Sequence, residues 1–196
     1  MTIDGIDGKK RCFGGKEGQE LLANYHDHEW GVPSSDDRHL FEMLILEGAQ
    51  AGLSFETVLK KREGYRKAFH AFDPKKVATM SDQELEGLTQ NPEIVRNRLK
   101  IWSARQNAIA FLAIQKEFSS FASYLKKFCP KVSSSKRKKS IKELPTKTEV
   151  SDALSKDLKK RGMNFVGSTI MYAYMQAVGL VDDHLQDCHL ISGKPK

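Results

Sequence analysis

The stretch "YHDHEWGVP", residues 25 to 33, holds His26 and His28 two residues apart, with Asp27 between them and Glu29 after. Imidazoles and carboxylates this dense suit metal binding or proton transfer. Near the other end, "DDHLQDCHL", residues 182 to 190, places His184 and Cys188 four apart. On a helix that spacing gives one shared face. Cys12 and His26 offer a second sulfur–nitrogen pair from the opposite terminus. Together Cys12, His26, His184 and Cys188 would form a closed tetrahedral zinc site, structural because no position stays open for water. Such a site would clamp chain ends that otherwise fray. Spacing alone leaves His28, His189 and Cys129 as rival ligands, and leaves open that all of these are ordinary core or surface residues. A catalytic metal on His26, Asp27 and His28 fits poorly, since helical side chains two residues apart point away from each other.

A second candidate is a carboxylate. In "LFEMLILEGAQAGL", residues 40 to 53, Leu40, Leu44, Glu47 and Ala51 follow i, i+4, i+7 and i+11, one helical face. Glu47 falls on that apolar face and Glu42 away from it. A buried carboxylate must be paired, protonated or kept for function. Gly48, Ala49, Ala51 and Gly52 around it leave room for a flat ligand. The competing reading is a glutamate at the stripe's margin, reaching solvent.

A third is the hairpin-like "LKKRGMNFVGSTIMYAYMQAVGL", residues 158 to 180. Gly162 ends one helix, and Gly167 permits close backbone approach at the start of the next. With Ser168 and Thr169, the free N–H groups there suit a phosphate. Lys159, Lys160 and Arg161 flank the turn. Any antiparallel helix pair can look like this, so the signal is weak alone.

The elements that must position these groups read as helices. Asp36 or Asp37 caps a helix that stops near Gly52, and Ser54 caps another that ends near Glu63–Gly64. Short helices follow in "DPKKVATM" and "SDQELEGLTQ", the latter with Ser81 and Glu84 as a capping box. Residues 91 to 118 form one long periodic segment whose apolar face is Ile94, Leu99, Ile101, Trp102, Ile109, Phe111, Leu112 and Ile114. "SSFASYLKKF", "VSDALSKDLKKRG" and "GSTIMYAYMQAVGL" complete the set. No period-two strand stands out, so the class is all-α. The expected organisation is a loose extension over 1–11, a single helical domain over 12–190 and a tail over 191–196. Within the domain, 130–148 reads as a basic surface loop, in which Lys136, Arg137, Lys138 and Lys139 either assist non-specific affinity for a nucleic acid or are simply solvated without function.

The chain has 196 residues, long enough for a core without disulfides. A hydrophobic share of 39% with 29% charged residues describes a soluble globular protein, and no apolar run reaches membrane-span length. Three scattered cysteines argue for a reducing compartment. The net charge of +7 is compatible with a nucleic-acid partner.

Several blocks carry a resemblance. "YHDHEWGVP", "LFEMLILEGAQAGLS", "LKKREGYRKAF…FDPKKVA", "SDALSKDLKKRGMNFVGSTIMY" and "DDHLQDC" resemble the bacterial 3-methyladenine DNA glycosylase I family, over about Cys12 to Cys188. That family is all-helical, belongs to the helix–hairpin–helix glycosylases and binds a structural zinc. The resemblance implies a repair enzyme that hydrolyses the N-glycosidic bond of 3-methyladenine in double-stranded DNA and leaves an abasic site. It implies one Zn2+ on Cys12, His26, His184 and Cys188, the base-recognising acid at Glu47 and a pocket aromatic at Tyr25. Next to His26 in sequence, Tyr25 would be steadied by the metal. Phe55 stands where the family has tryptophan in a "GLSW" block. Gly14 stands where the family has an aromatic, and Phe13, one residue earlier, is expected to compensate. Asp182, in "VDDH", holds a place like the catalytic aspartate of many hairpin glycosylases and is a second catalytic candidate beside Glu47. The DNA-binding set is Lys160, Gly162, Gly167 and Ser168. A cytoplasmic bacterial monomer is expected; the alternative is a non-catalytic, zinc-stapled DNA-binding module of the same fold.

Overall fold

A computed structural model describes residues 1–132 and 137–191. In chain order the elements are β1 (Ile3–Asp4), β2 (Lys10–Arg11), α1 (Glu20–His28), α2 (Asp37–Gln50), α3 (Phe55–Lys60), α4 (Arg62–Ala68), α5 (Pro74–Ala78), α6 (Asp82–Leu88), α7 (Arg98–Phe118), α8 (Phe121–Leu125), α9 (Glu149–Lys160) and α10 (Ser168–Ala177). Short 3-10 turns cover His70–Phe72 and Ile141–Glu143. The all-α reading holds for all but the small N-terminal strand pair. The chain divides into two compact units. The first is Met1–Pro33, Lys131–Thr146 and Met175–Lys196; the second is Ser34–Pro130 and Lys147–Tyr174.

The second unit is built on α2 and α7. Ten consecutive residues of α2, Leu40 to Ala49, are buried, so this helix is enclosed on every side. The one-sided stripe expected of it is therefore too narrow, and Glu42 is buried rather than turned outward. Phe111 of α7 stacks on Phe121 at 4.2 Å and meets Phe41 edge-on at 5.1 Å. Each fully buried aromatic contributes roughly 1.5–3 kcal/mol by leaving water. Asp37 ties this core together, accepting from the Phe121 and Ala122 backbone N–H groups at 2.8 and 3.0 Å and from Gln115 at 2.6 Å. A carboxylate at the first turn of α8 supplies partners to N–H groups that no helical carbonyl reaches.

The caps at Asp36, Ser54 and the Ser81–Glu84 box are as the sequence suggests. Two boundaries differ. Gly64 does not end a helix: it lies inside α4, where a Cβ would strike the Glu93 carbonyl, so the glycine serves close packing rather than termination. The long segment starts at Arg98, with Asn97 as cap, and 91–97 is turn. Leu99 and Ile109, expected on its inner face, are 70% and 48% exposed. The true inner face is Ile101, Ala104, Ala108, Phe111 and Ile114; small alanines between the large residues hid that period.

In the first unit, residues 1–11 are not loose. β1 pairs antiparallel with β2, and Arg11, only 5% exposed, reaches Asp7 at 2.7 and 2.8 Å and Asp27 at 2.7 and 2.9 Å. The basic loop is also tied down in part. Arg137 is half-buried against Asp182, and the Lys138 carbonyl accepts from the Gln186 N–H at 3.0 Å. Lys139 is exposed, and Lys136 lies outside the described residues, as does the tail beyond Ile191.

Candidate functional site

Both histidines of the expected metal set are oriented by carboxylates. His26, at the end of α1, has Nδ1 2.8 Å from Asp27 Oδ1; His184 has Nδ1 2.8 Å from Asp182 Oδ1. An Nδ1 proton donated to a carboxylate leaves the Nε2 lone pair as the ligand atom and raises its basicity. His26 Nε2 lies 3.5 Å from Cys188 Sγ and accepts from the Cys12 N–H at 3.2 Å. Candidate ligand atoms of Cys12, His26 and Cys188 lie within 4.8 Å of one another, and all three residues are buried. His184 lies with its ring 5.3 Å from that of His26, and its buried Nε2 has no hydrogen-bond partner. A buried imidazole nitrogen without a partner is costly unless something coordinates it. The thiols conflict as well. The neighbouring Cys188, with burial, pushes the Cys12 thiol up, while the Cys12 hydrogen bond pulls the Cys188 thiol down. A divalent cation would let both ionise. The donor set fits zinc. Of the rivals, His189 bonds Asp27 at 2.9 Å and His28 bonds the Asn24 carbonyl at 3.0 Å.

Around this cluster lies a shell that the sequence did not reveal. Trp30 stacks on His26 at 5.9 Å and meets His184 edge-on at 4.7 Å. Phe13 meets both His26 and Trp30 edge-on at 5.0 Å, and its ring lies 6.4 Å from that of Tyr25. Trp30 stood inside the opening motif, but nothing in its spacing to the histidines marked it. Gly14 cannot carry an aromatic here. Its φ is +77°, and a Cβ would come within 2.6 Å of the Ala23 backbone nitrogen on α1.

Asp182 does not have the environment of a catalytic aspartate. Arg137 grips it at 2.7 and 2.5 Å, one N–H to each oxygen, and His184 takes Oδ1 again. Burial opposes its charge, yet Arg137 and His184 hold its carboxyl far below the usual range. Both oxygens are occupied, by Arg137 and by His184. The same contact corrects the reading of Arg137 as a solvated DNA contact.

In the second unit, α2 carries two buried glutamates with opposite fates. Burial would raise the Glu42 carboxyl, but Arg62 and Arg66, each 2.8 Å from Oε1, overcome it and hold the group low. Glu47 is 4% exposed, and its Oε2 is buried without a hydrogen-bond partner. Burial pushes its carboxyl up to about 8, so it is mainly protonated at neutral pH. Phe55, half-buried, opens α3 directly after the Ser54 cap.

The hairpin between α9 and α10 is also in this unit. Lys159, Lys160 and Gly162 are exposed, and Gly162 has φ +89°. A Cβ on Gly167 would meet nothing within 4 Å, so the space beside that backbone is open. Ser168 has its hydroxyl 2.9 Å from that of Ser151. Arg161, read as a flank of the turn, is turned inward onto Asp157 and Glu117, both at 2.7 Å.

Known proteins match this chain in family and fold. The family model for methyladenine glycosylase matches residues 15–191. A DNA-3-methyladenine glycosylase of Haemophilus influenzae is 49% identical over 170 residues, covering 87% of this chain and 92% of that protein. A crystal structure of 3-methyladenine DNA glycosylase I superposes with a TM-score of 0.87 at 49% identity, covering 91% of this chain and 98% of the other. A tyrosine-to-phenylalanine variant of 3-methyladenine DNA glycosylase I, solved in complex with 3-methyladenine, gives a TM-score of 0.87 at 36% identity, covering 95% and 98%. The chain belongs to the methyladenine glycosylase family.

Proposed function

We propose that this protein is a monofunctional DNA glycosylase that excises 3-methyladenine from alkylated DNA. The observation that carries the reading is Glu47. It is the one of two buried glutamates on α2 that has no arginine, in a family whose relatives act on 3-methyladenine. A buried carboxyl oxygen without a hydrogen-bond partner lowers stability, so its retention points to a ligand.

A base inside a duplex is out of reach, so the nucleotide must leave the stack. 3-Methyladenine is cationic while joined to deoxyribose, and its glycosidic bond is already weak. Little acid catalysis is needed; the protein must recognise the cation. Arrival of a positive base favours the ionised form of Glu47, so binding releases its proton and creates a charge-assisted hydrogen bond. Neutral adenine gives no such return for ionising a buried acid. Tyr25, Phe55 and Phe13 are assigned to the base by resemblance, as π faces for a cation. Water then forms a bond to C1′ as the C1′–N bond breaks. The base leaves with the bond's electron pair as neutral 3-methyladenine, and the water's surplus proton goes to solvent. No lysine is assigned to a lyase step.

The hairpin would hold backbone phosphates of double-stranded DNA through Lys160, the N–H groups near Gly167 and Ser168, and the turn at Gly162. A structural zinc on Cys12, His26, His184 and Cys188 would hold the termini together. The non-catalytic alternative has no use for an unpartnered Glu47. The test is free-base chromatography after incubation with methylated duplex DNA. Release of 3-methyladenine is expected, and its absence from folded, metal-replete protein would sink the proposal.

A further inference from the structure

The side chain of Asn107, in the middle of α7, is 2% exposed and makes a two-way pairing with the hairpin apex. Its Nδ2 donates to the Asn164 carbonyl at 2.9 Å, and its Oδ1 accepts from the Asn164 N–H at 2.8 Å. A buried amide that matches both polar groups of one residue imitates a strand partner and fixes that residue's position and orientation.

The next residue, Phe165, is held at φ +55°, a conformation that a bulky residue adopts only where its surroundings enforce it. Its Cβ lies 3.3 Å from where a Cβ on Gly48 would stand. Gly48 directly follows Glu47 on α2. Two turns before Asn107 on α7, Lys100 Nζ donates to the Ala49 and Ala51 carbonyls at 2.8 and 2.6 Å, capping the end of α2. Gly48, Ala49, Lys100, Asn107 and Phe165 line one small gap. α7 thus grips the end of the helix that carries Glu47 and the apex of the hairpin, from side chains seven residues apart.

We propose that Asn107 is a positioning residue for excision: it holds the hairpin apex in fixed register against the Gly48 turn of α2, so that a phosphate held at the hairpin presents the flipped base to Glu47 at one height. The proposal rests on the reading above that the hairpin holds DNA and Glu47 meets the base. Misplacement by about 1 Å can cost up to a hundredfold in rate.

The test uses the full-length, metal-replete protein carrying Asn107→Ala, with folding checked by circular dichroism. Three quantities are read: affinity for free 3-methyladenine, affinity for undamaged duplex, and the single-turnover excision rate at saturating enzyme. The expected result is free-base affinity within about twofold of wild type and excision slowed at least about tenfold. If Asn107→Ala does not fold, Asn107→Asp takes its place. It is isosteric, keeps the acceptor toward the Asn164 N–H and loses the donor, and should slow excision at least about threefold. Wild-type single-turnover excision by a folded variant overturns the proposal, as does free-base affinity falling in step with the rate. Failure of the underlying reading is told apart by controls in the wild-type background. If Glu47→Gln excises normally, or Lys159→Ala with Lys160→Ala leaves duplex affinity unchanged, the assignment of acid or hairpin fails, and the proposal with it.

Discussion

His184 Nδ1 lies 2.8 Å from Asp182 Oδ1, and the same carboxylate is gripped on both oxygens by Arg137. This contact sets Asp182 behind a histidine of the proposed zinc site. Loss of such an outer partner typically costs ten- to a hundredfold in metal affinity. Asp182→Asn should weaken zinc binding by about that factor while excision per metal-loaded molecule stays within about threefold. Competition with a chromophoric chelator reads the first quantity and single-turnover assay the second. Full metal retention with abolished excision would return Asp182 to the chemistry.

Purified protein should hold one zinc per chain. Cys12→Ser or His184→Ala should remove it and lower Tm by at least about 10 °C, since each kcal/mol is about 2–4 °C at this chain length. Elemental analysis alongside thermal unfolding checks both, and a metal-free wild type of unchanged Tm would contradict the assignment. Chelation should unfold or loosen the protein before it touches the excision step, because a closed four-ligand site gives no coordination position to substrate.

The two groups of basic residues should separate in a salt titration. Lys159 and Lys160 are exposed, whereas Arg137 is spent on Asp182. Replacing both lysines by alanine should lower the slope of log K against log salt by up to about 1.8, at about 0.9 per phosphate contact. Arg137→Ala should leave that slope unchanged and reduce stability instead, since it strips a buried-side partner from Asp182. A larger slope change for Arg137 than for the lysine pair would reverse the assignment.

What the sequence made legible was local. Ser54, Ser81 and Asp36 cap helices because capping needs only neighbours within three residues. The candidate metal residues could be gathered as types, but the carboxylates behind them, Asp182 at His184 and Asp27 at His26 and His189, could not. Glu47 was legible as a carboxylate among small residues. The contrast that gives it meaning, Glu42 held by two arginines twenty and more residues away, was not. Asn107 gave no signal at all: its partners are backbone atoms 57 residues on, and backbone groups have no letter in a sequence. Arg137 looked like surface charge for the same reason, because Asp182 lies 45 residues further on.

The last prediction is that Glu47→Gln makes the protein more stable and less able, in a pH-dependent way. An unfolded glutamate titrates near 4.5, and burial raises Glu47 to about 8 in the fold. Between those values the folded state holds a proton that the unfolded state has lost. Stability from this group is complete below the unfolded value and is lost as pH rises toward 8, by up to about 1.4 kcal/mol per pH unit. Glutamine has no such proton, so the stability of the variant relative to wild type should grow from pH 5 to pH 8. Denaturant midpoints of the two proteins across that range measure the difference, in which other titrating groups cancel. A difference that stays flat with pH would mean that Glu47 is not the buried, unpartnered acid described here. The same substitution should slow excision of 3-methyladenine, which is cationic while joined to deoxyribose, by about ten- to a hundredfold, the worth of a hydrogen bond to a charged group at roughly 1.5–3 kcal/mol. The two effects have one origin. The carboxyl that costs stability when the site is empty is the group a cationic base stabilises on arrival, so a variant that gained stability without losing excision rate would break the link between them.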